Sequence, residues 1–222
     1  NLAETVQETS VQDELAKEMK QPDRDINLLR AALLIARLDN SEIEIEHYLN
    51  AVEDMAKSIR SELKSDASER VKLKAIGSYL FLQNGFHGSR GDYYNRSNSY
   101  LNEVIDDREG IPITLSVLYL EIAERLDVHL QGLPLPGHFA VGKIDKDSSP
   151  LIIDVYNGAK IITRKEAEEL VFNTSGIRLL DKDLMPATKK DIVLRILRNL
   201  IGIGNSSEEP KAVIRYLNTL LK

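Results

Sequence analysis

Along much of the first eighty residues, apolar side chains recur every three or four positions. That period marks helices which each bury one face. Residues 1–22 are the exception: rich in Glu, Gln, Lys and Thr, they read as a polar arm, at most a frayed helix. Ile26, Leu29, Leu33 and Leu34 then mark a helix within 25–38. Ser41 and Glu44 have the spacing of a capping box. It precedes a second helix with the stripe Ile45, Leu49, Val52, Ala56, Ile59 and Leu63. A third helix is expected over 66–82. Short turns join the three, which predicts an antiparallel bundle over 23–83.

The pattern then lapses. The stretch NGFHGSRGDYYNRSN (84–98) has three glycines and no period, so it reads as a loop. Loops held by a rigid scaffold often carry function. A short helix is expected over 99–106, and Gly110 breaks the chain after it. Pro112 suits the first position of a helix, where an N–H has no partner in any case. The residues from Pro112 to Leu126 are apolar on nearly every face, the mark of a central buried helix.

After Asp127 the period shortens. Runs at 128–133, 138–144, 151–156 and 160–162 read as strands, with hairpin turns at 145–150 and at Asn157-Gly158. Helix resumes over 163–172, where Thr163 and Glu166 form a second capping box. Helices over 191–203 and 208–221 close the chain as a hairpin of about 34 residues, the length of one tetratricopeptide unit. Helices, an antiparallel sheet, then helices again make an α+β chain. Four segments follow: a polar arm (1–22), a helical bundle (23–83), a mixed core (84–186) and a tetratricopeptide-like hairpin (187–222).

Composition removes several classes of function. The 222 residues contain no cysteine, so disulfides, thiolate metal sites and cysteine nucleophiles are excluded. A net charge of −6 lacks the footprint of a nucleic-acid binder. No apolar run is long enough to span a membrane, and no signal peptide is expected within the chain. A cytoplasmic setting is expected, or an organelle interior such as plastid stroma after removal of a targeting segment. His47, His87 and His129 have no partner at ligand spacing, so neither metal nor cofactor is expected. Gly85, Gly88 and Gly91 lack the Lys-Ser/Thr that would make a phosphate loop.

One constellation carries chemistry. Gly110-Ile111-Pro112 opens the buried helix. His138 begins a strand, and Asp154 lies near the end of the next. A hairpin between those strands brings the two side by side. A helix N-terminus facing a His held by an Asp can stabilise an anion, move a proton and fix the imidazole tautomer.

The segments NSYLNEVIDDREGIPITLS (98–116), LPGHFAVG (135–142) and IIDVYNG (152–158) resemble the transglutaminase-like superfamily. More narrowly they resemble its SirB branch, bacterial proteins that often carry tetratricopeptide repeats and that also occur fused in an F-box protein. The resemblance covers 85–165. It implies a papain-like α+β fold, with His138 and Asp154 at the superfamily's His and Asp positions. The superfamily's nucleophile, a Cys at the start of the central helix, falls at Pro112, which has no nucleophilic group. Thr114 and Ser116 are the hydroxyls in the first turns of that helix. Thr114 is rotated by about 200° from the expected position, and Ser116 is displaced by about 6 Å along the axis. Capping or back-bonding is the plainer role for both.

The resemblance therefore implies a binding or adaptor module without its nucleophile. Its groove would take a peptide, a protein terminus or an anionic ligand, so the expected partner is a protein or peptide. Asn98, Tyr100, Asn102, Glu103 and Pro112 are expected to line the groove with His138 and Asp154. The alternative is an amidase, peptidase or acyl transferase using Ser116 or Thr114. Arg108 and Glu109 read as a solvated pair, and Tyr93 and Tyr94 as half-buried packing.

Overall fold

The computed structural model describes residues 2–145 and 148–221. Nine α-helices and six short strands occur among the described residues. Their order is α1 (Leu2–Met19), α2 (Leu28–Arg37), α3 (Ile45–Glu62), α4 (Glu69–Gly77), β1 (His87–Gly88), α5 (Leu101–Asp107), β2 (Glu109–Gly110) and α6 (Pro112–Arg125). The sheet strands β3 (Gln131–Leu133), β4 (Ala140–Lys143), β5 (Leu151–Asp154) and β6 (Lys160–Ile162) follow, then α7 (Arg164–Ser175), α8 (Lys189–Ser206) and α9 (Pro210–Leu220). This is the expected α+β order. No described helix is long and apolar enough to cross a membrane.

Helix α6 is the axis of the molecule. Pro112 stands at its first position, and residues from Pro112 to Leu120 are all buried. It packs against α2, α3, α4, α5, α8, β3 and β4. The Tyr119 hydroxyl is buried with it and donates to the Leu73 carbonyl of α4 at 2.8 Å. Truncating a side chain as enclosed as Leu118 removes about 2–5 kcal/mol of stability. Helix α2 is equally enclosed, since Leu28, Leu29 and every residue from Ala31 to Ala36 are buried.

One hydrophobic cluster runs from α1 through α6 to α9. The bundle residues thus share their core with the sheet rather than enclosing one of their own. The expected polar arm is helix α1, docked on α2. Val11 and Leu15 are buried and Met19 packs beside them, an i, i+4, i+8 ridge inside a polar sequence.

Four strands pair antiparallel in the order β3-β4-β5-β6. Apolar residues alternate across the sheet, as the pleat requires. Phe139, Val141, Ile153 and Val155 join the α6 core, whereas Ala140, Ile152 and Ile162 join a second cluster with Ala167 and Val171 of α7. The turn expected over 145–150 links β4 to β5, and residues 146 and 147 lie outside the described residues. The β5–β6 connection is a five-residue loop containing Gly158 and Ala159, both with positive φ.

Local signals fared unevenly. The Thr163 capping box forms as expected. The box expected at Ser41 and Glu44 does not: α3 begins at Ile45 with Glu44 at its cap and no side-chain capping bond. The Asn40 side chain instead accepts from the Glu42 N–H at 3.1 Å, in a turn that lets Ile43 enter the core. The third helix changes winding at Ser78–Gln83, a π-helical segment that hands the chain to the site region.

Candidate functional site

The sequence Leu135-Pro136-Gly137-His138 closes a turn through a bond from the His138 N–H to the Leu135 carbonyl, 3.0 Å. Proline at the second position and a glycine with φ +68° at the third are what a type II turn demands. His138 therefore sits at the exit of a turn, two residues before β4, rather than at the start of the strand. Asp154 is the last residue of β5, as expected. The hairpin brings them together: His138 Nε2 lies 2.9 Å from Asp154 Oδ1, and both residues are only 4% exposed.

Asp154 is held by a second clamp. The Asn157 side chain donates to its Oδ2 at 2.6 Å and the Asn157 N–H to its Oδ1 at 3.3 Å. Burial alone would raise the carboxyl's pKa. The bonds from His138 and Asn157 outweigh that and leave it below its ordinary value. An ionised Asp154 fixes the tautomer with the proton on Nε2, so in the neutral ring Nδ1 is the basic nitrogen.

Tyr156 covers the pair. Its ring stands edge-on to His138 with centroids 6.0 Å apart, and its hydroxyl donates to the Ser89 carbonyl at 2.8 Å. Ser89 follows β1, which pairs parallel with β2 just ahead of α6. Arg195 of α8 also reaches His138. Its Nη2 donates to the His138 carbonyl at 2.9 Å, and its guanidinium lies 5.3 Å from the Phe139 ring centroid. Tyr156, Asn157, Ser89 and Arg195 were not expected around His138. Only Asn157 carried a signal, in a turn dipeptide that the chain uses to clamp Asp154.

At the start of α6 the two hydroxyls differ. Thr114 Oγ1 donates to the Asn98 carbonyl (2.8 Å) and accepts from the Ile111 N–H (3.2 Å), so it is occupied as a cap. Ser116 is completely buried, and its Oγ has no hydrogen-bond partner. Neither hydroxyl is bonded to His138. Pro112 is buried at the helix start.

Asn98 is buried beside this region, and its side chain donates to Ser89 Oγ (3.1 Å) and the Asp92 carbonyl (2.8 Å). It thus braces the segment on which Tyr156 rests. Three of the expected groove residues go elsewhere. The Tyr100 hydroxyl bonds Asp39 and lies 2.6 Å from that of Tyr216, joining α9 to the end of α2. Asn102 donates to Glu103 at 3.1 Å, next to Tyr48 and Asp106. Burial and Asp106 push the Tyr48 phenol up to about 12. The split follows the entry to α5: Tyr100 caps the helix in extended backbone and reaches Asp39 and Tyr216, while Asn102, in the first turn, lies next to Tyr48 of α3.

Other expectations also shift. Tyr93 and Tyr94 stand edge to face and are 42% and 72% exposed, not packed away. Arg108 takes a left-handed conformation at the end of α5, and Glu109 accepts from the Arg90 N–H, so the two are not a pair. His129 lies 2.8 Å from Glu124. No group of three or more His, Asp or Glu with metal-holding geometry occurs among the described residues.

Two clefts compete for attention. A 570 Å³ cleft between α1, α2 and α9, lined by Arg37, Asp39 and Arg215, contains no residue of the pair. A 450 Å³ cleft is lined by Phe81, His87, Ser89, Tyr156 and Asn157. The second is the smaller, but Tyr156 and Asn157 connect it directly to His138 and Asp154.

The sequence pattern of the transglutaminase-like superfamily matches residues 46–198. A UPF0162 protein of Xylella fastidiosa is 34% identical over 205 residues, spanning 90% of this chain and 73% of the relative. F-box only protein 21 of mouse is 34% identical over 139 residues, 60% of this chain but only 22% of that protein. A UPF0162 protein of Vibrio cholerae is 24% identical over 133 residues, 60% of this chain and 49% of the relative. No solved structure matches the chain. The matched pattern covers more than half of the residues and includes α6, the sheet, His138 and Asp154, and on that ground the chain belongs to the transglutaminase-like superfamily.

Proposed function

We propose that the protein is a binding module built on a transglutaminase-like domain that has no thiol nucleophile. The observation that carries this reading is the His138–Asp154 pair, buried at 2.9 Å in a chain without cysteine. Burying an imidazole and a carboxylate is costly unless each satisfies the other. Here the pair is retained and doubly clamped although the chemistry it serves in a thiol enzyme is impossible. The hydroxyl at Thr114 is committed to the backbone, which leaves it no role as a nucleophile. The groove around the pair would hold a peptide, a protein terminus or an anionic ligand. The α8–α9 hairpin, about one tetratricopeptide unit long, fits an adaptor of the SirB type. A cysteine-free chain suits a reducing compartment, and we place the module in the cytoplasm or an organelle interior.

The test is binding of a synthetic peptide array, with turnover measured in parallel. His138→Asn and Asp154→Asn are expected to lose binding, with no amide or ester hydrolysis by either variant or the parent. Hydrolysis that vanishes with His138 overturns the reading.

One observation favours the alternative, an amidase, peptidase or acyl transferase. The Ser116 hydroxyl is buried without a partner, and buried orphans are rare enough to need a reason. That reading requires Ser116→Ala to abolish a measurable activity.

A further inference from the structure

Arg195 is a half-buried cation with no counter-charge. Among the described residues no carboxylate lies within 4.0 Å of its guanidinium. Most of the half-buried arginines are paired, Arg96 and Arg215 with Asp39, Arg125 with Glu121 and Arg164 with Asp181; Arg37, which donates to the Ser41 carbonyl, is like Arg195 in having no carboxylate partner. The chain has 35 acidic residues to choose from, yet places none here. Burial lowers the Arg195 pKa, the sign of a charge that the surroundings do not fully repay.

The partners of Arg195 are a backbone carbonyl and a ring face. The carbonyl occupies one of the five N–H donors of a guanidinium, leaving a fork whose geometry matches a carboxylate. Burial raises the Tyr93 phenol's pKa, the Tyr156 and Tyr94 hydroxyls add to that, and Arg195 opposes it. Tyr93 and Tyr94 also offer two exposed rings at right angles, a rigid contact surface for a peptide chain.

We propose that the Arg195 guanidinium forms a carboxylate-binding subsite beside His138, which takes a terminal or side-chain carboxylate of a bound peptide. The proposal rests on the reading that the groove at the pair binds a ligand, and it names the ligand's chemistry. A single fork suits a singly charged carboxylate, where a phosphate dianion calls for further cations.

The test uses three peptides on the whole chain: N-acetyl-Ala-Ala-Phe with a free terminus, the same peptide as its amide, and N-acetyl-Ala-Glu-Phe amide. Binding is read from the ring ¹⁵N shifts of the four histidines, with the His138 signal identified by its loss in His138→Asn. The free acid is expected to move the His138 signal and to bind at least about tenfold more tightly than the amide. Arg195→Gln and Arg195→Lys should both erase that preference, since each loses the fork. If the Glu peptide matches the free acid, the source is a side chain; if it matches the amide, the source is a terminus. If acid and amide bind alike, the subsite is overturned while the groove reading stands. If none of the three moves His138, both fall. The acid-to-amide comparison needs no variant, so a misfolded Arg195→Gln protein does not obscure the result.

Discussion

The ring of Tyr156 occupies the space that a side chain at Gly88 would need: a Cβ there would meet three ring carbons at 2.5, 2.7 and 2.8 Å. The missing side chain of β1 is thus what lets Tyr156 lie over the pair. Gly88→Ala should lever the ring away from the Ser89 carbonyl and open His138 to solvent. Overpacking of this kind costs about 1–3 kcal/mol. The expected result is faster modification of His138 by diethyl pyrocarbonate, followed peptide by peptide against exposed His129. An unchanged His138 rate would show that Tyr156 is not the cover.

Asp154 sets the acid side of stability. Its carboxyl titrates below its ordinary value in the folded state. Its contribution is therefore complete above the unfolded value of about 3.9 and is lost as pH falls through the lower folded value. Urea titrations of the parent and Asp154→Asn should differ by a constant amount above about pH 5, and the gap should close on further acidification. A gap that widens towards acid would contradict the clamp. Asp154→Ala, which strands a buried imidazole, should lower Tm by about 2–10 °C at neutral pH.

Two glycines give opposite outcomes for the same substitution. A Cβ at Gly142 would fall 1.9 Å from the Leu151 carbonyl oxygen, so Gly142→Ala must part β4 from β5. A loss above about 4 kcal/mol, or failure to fold, is expected. Gly202 lies within α8 with no atom within 4 Å of its Cβ position. Gly202→Ala should stabilise by about 0.5–1 kcal/mol. Paired thermal melts decide both.

Asp39 fastens the end of the chain. Its carboxylate receives the hydroxyls of Tyr100 and Tyr216 and the guanidinium of Arg215. Asp39→Asn should leave α6 intact and loosen α9. Hydrogen exchange should then accelerate over 210–220 with little change over 112–125. Uniform acceleration across the chain would mean that the cluster supports the whole fold.

Legibility followed the range of the interaction. Helix α6 and strand β6 were readable because an apolar run, Pro112 and a turn dipeptide are local signals. Thr188 and Asp191 cap α8 with a box whose acid, at the third helical position, is Asp rather than Glu, and the helix starts two residues before the expected position. Helix α1 was hidden because one i+4 ridge is enough to dock it once α2 offers an apolar face, and no composition reveals that. In the site, His138 and Asp154 were legible because one hairpin joins them. Arg195 was not: it reaches across 57 residues to a backbone carbonyl, and a carbonyl leaves no mark in sequence. Tyr100 misled for the reverse reason, since its nearness in the chain to Asn98 says nothing about which way the extended backbone at the cap of α5 turns it.

The pairing of β1 with β2 has a consequence for how this domain tolerates change. It ties the chain together at 88 and 110, so everything between leaves and returns through one gate. Loop closure grows only with the logarithm of length, and doubling such an excursion costs about 0.6 kcal/mol. The exposed tip around Tyr93 and Tyr94 can therefore lengthen, shorten or change its residues while the hairpin carrying His138 and Asp154 stays in place. The chain separates a floor that must be kept from a wall that is free to be rewritten, and selectivity for new ligands can evolve on the wall alone.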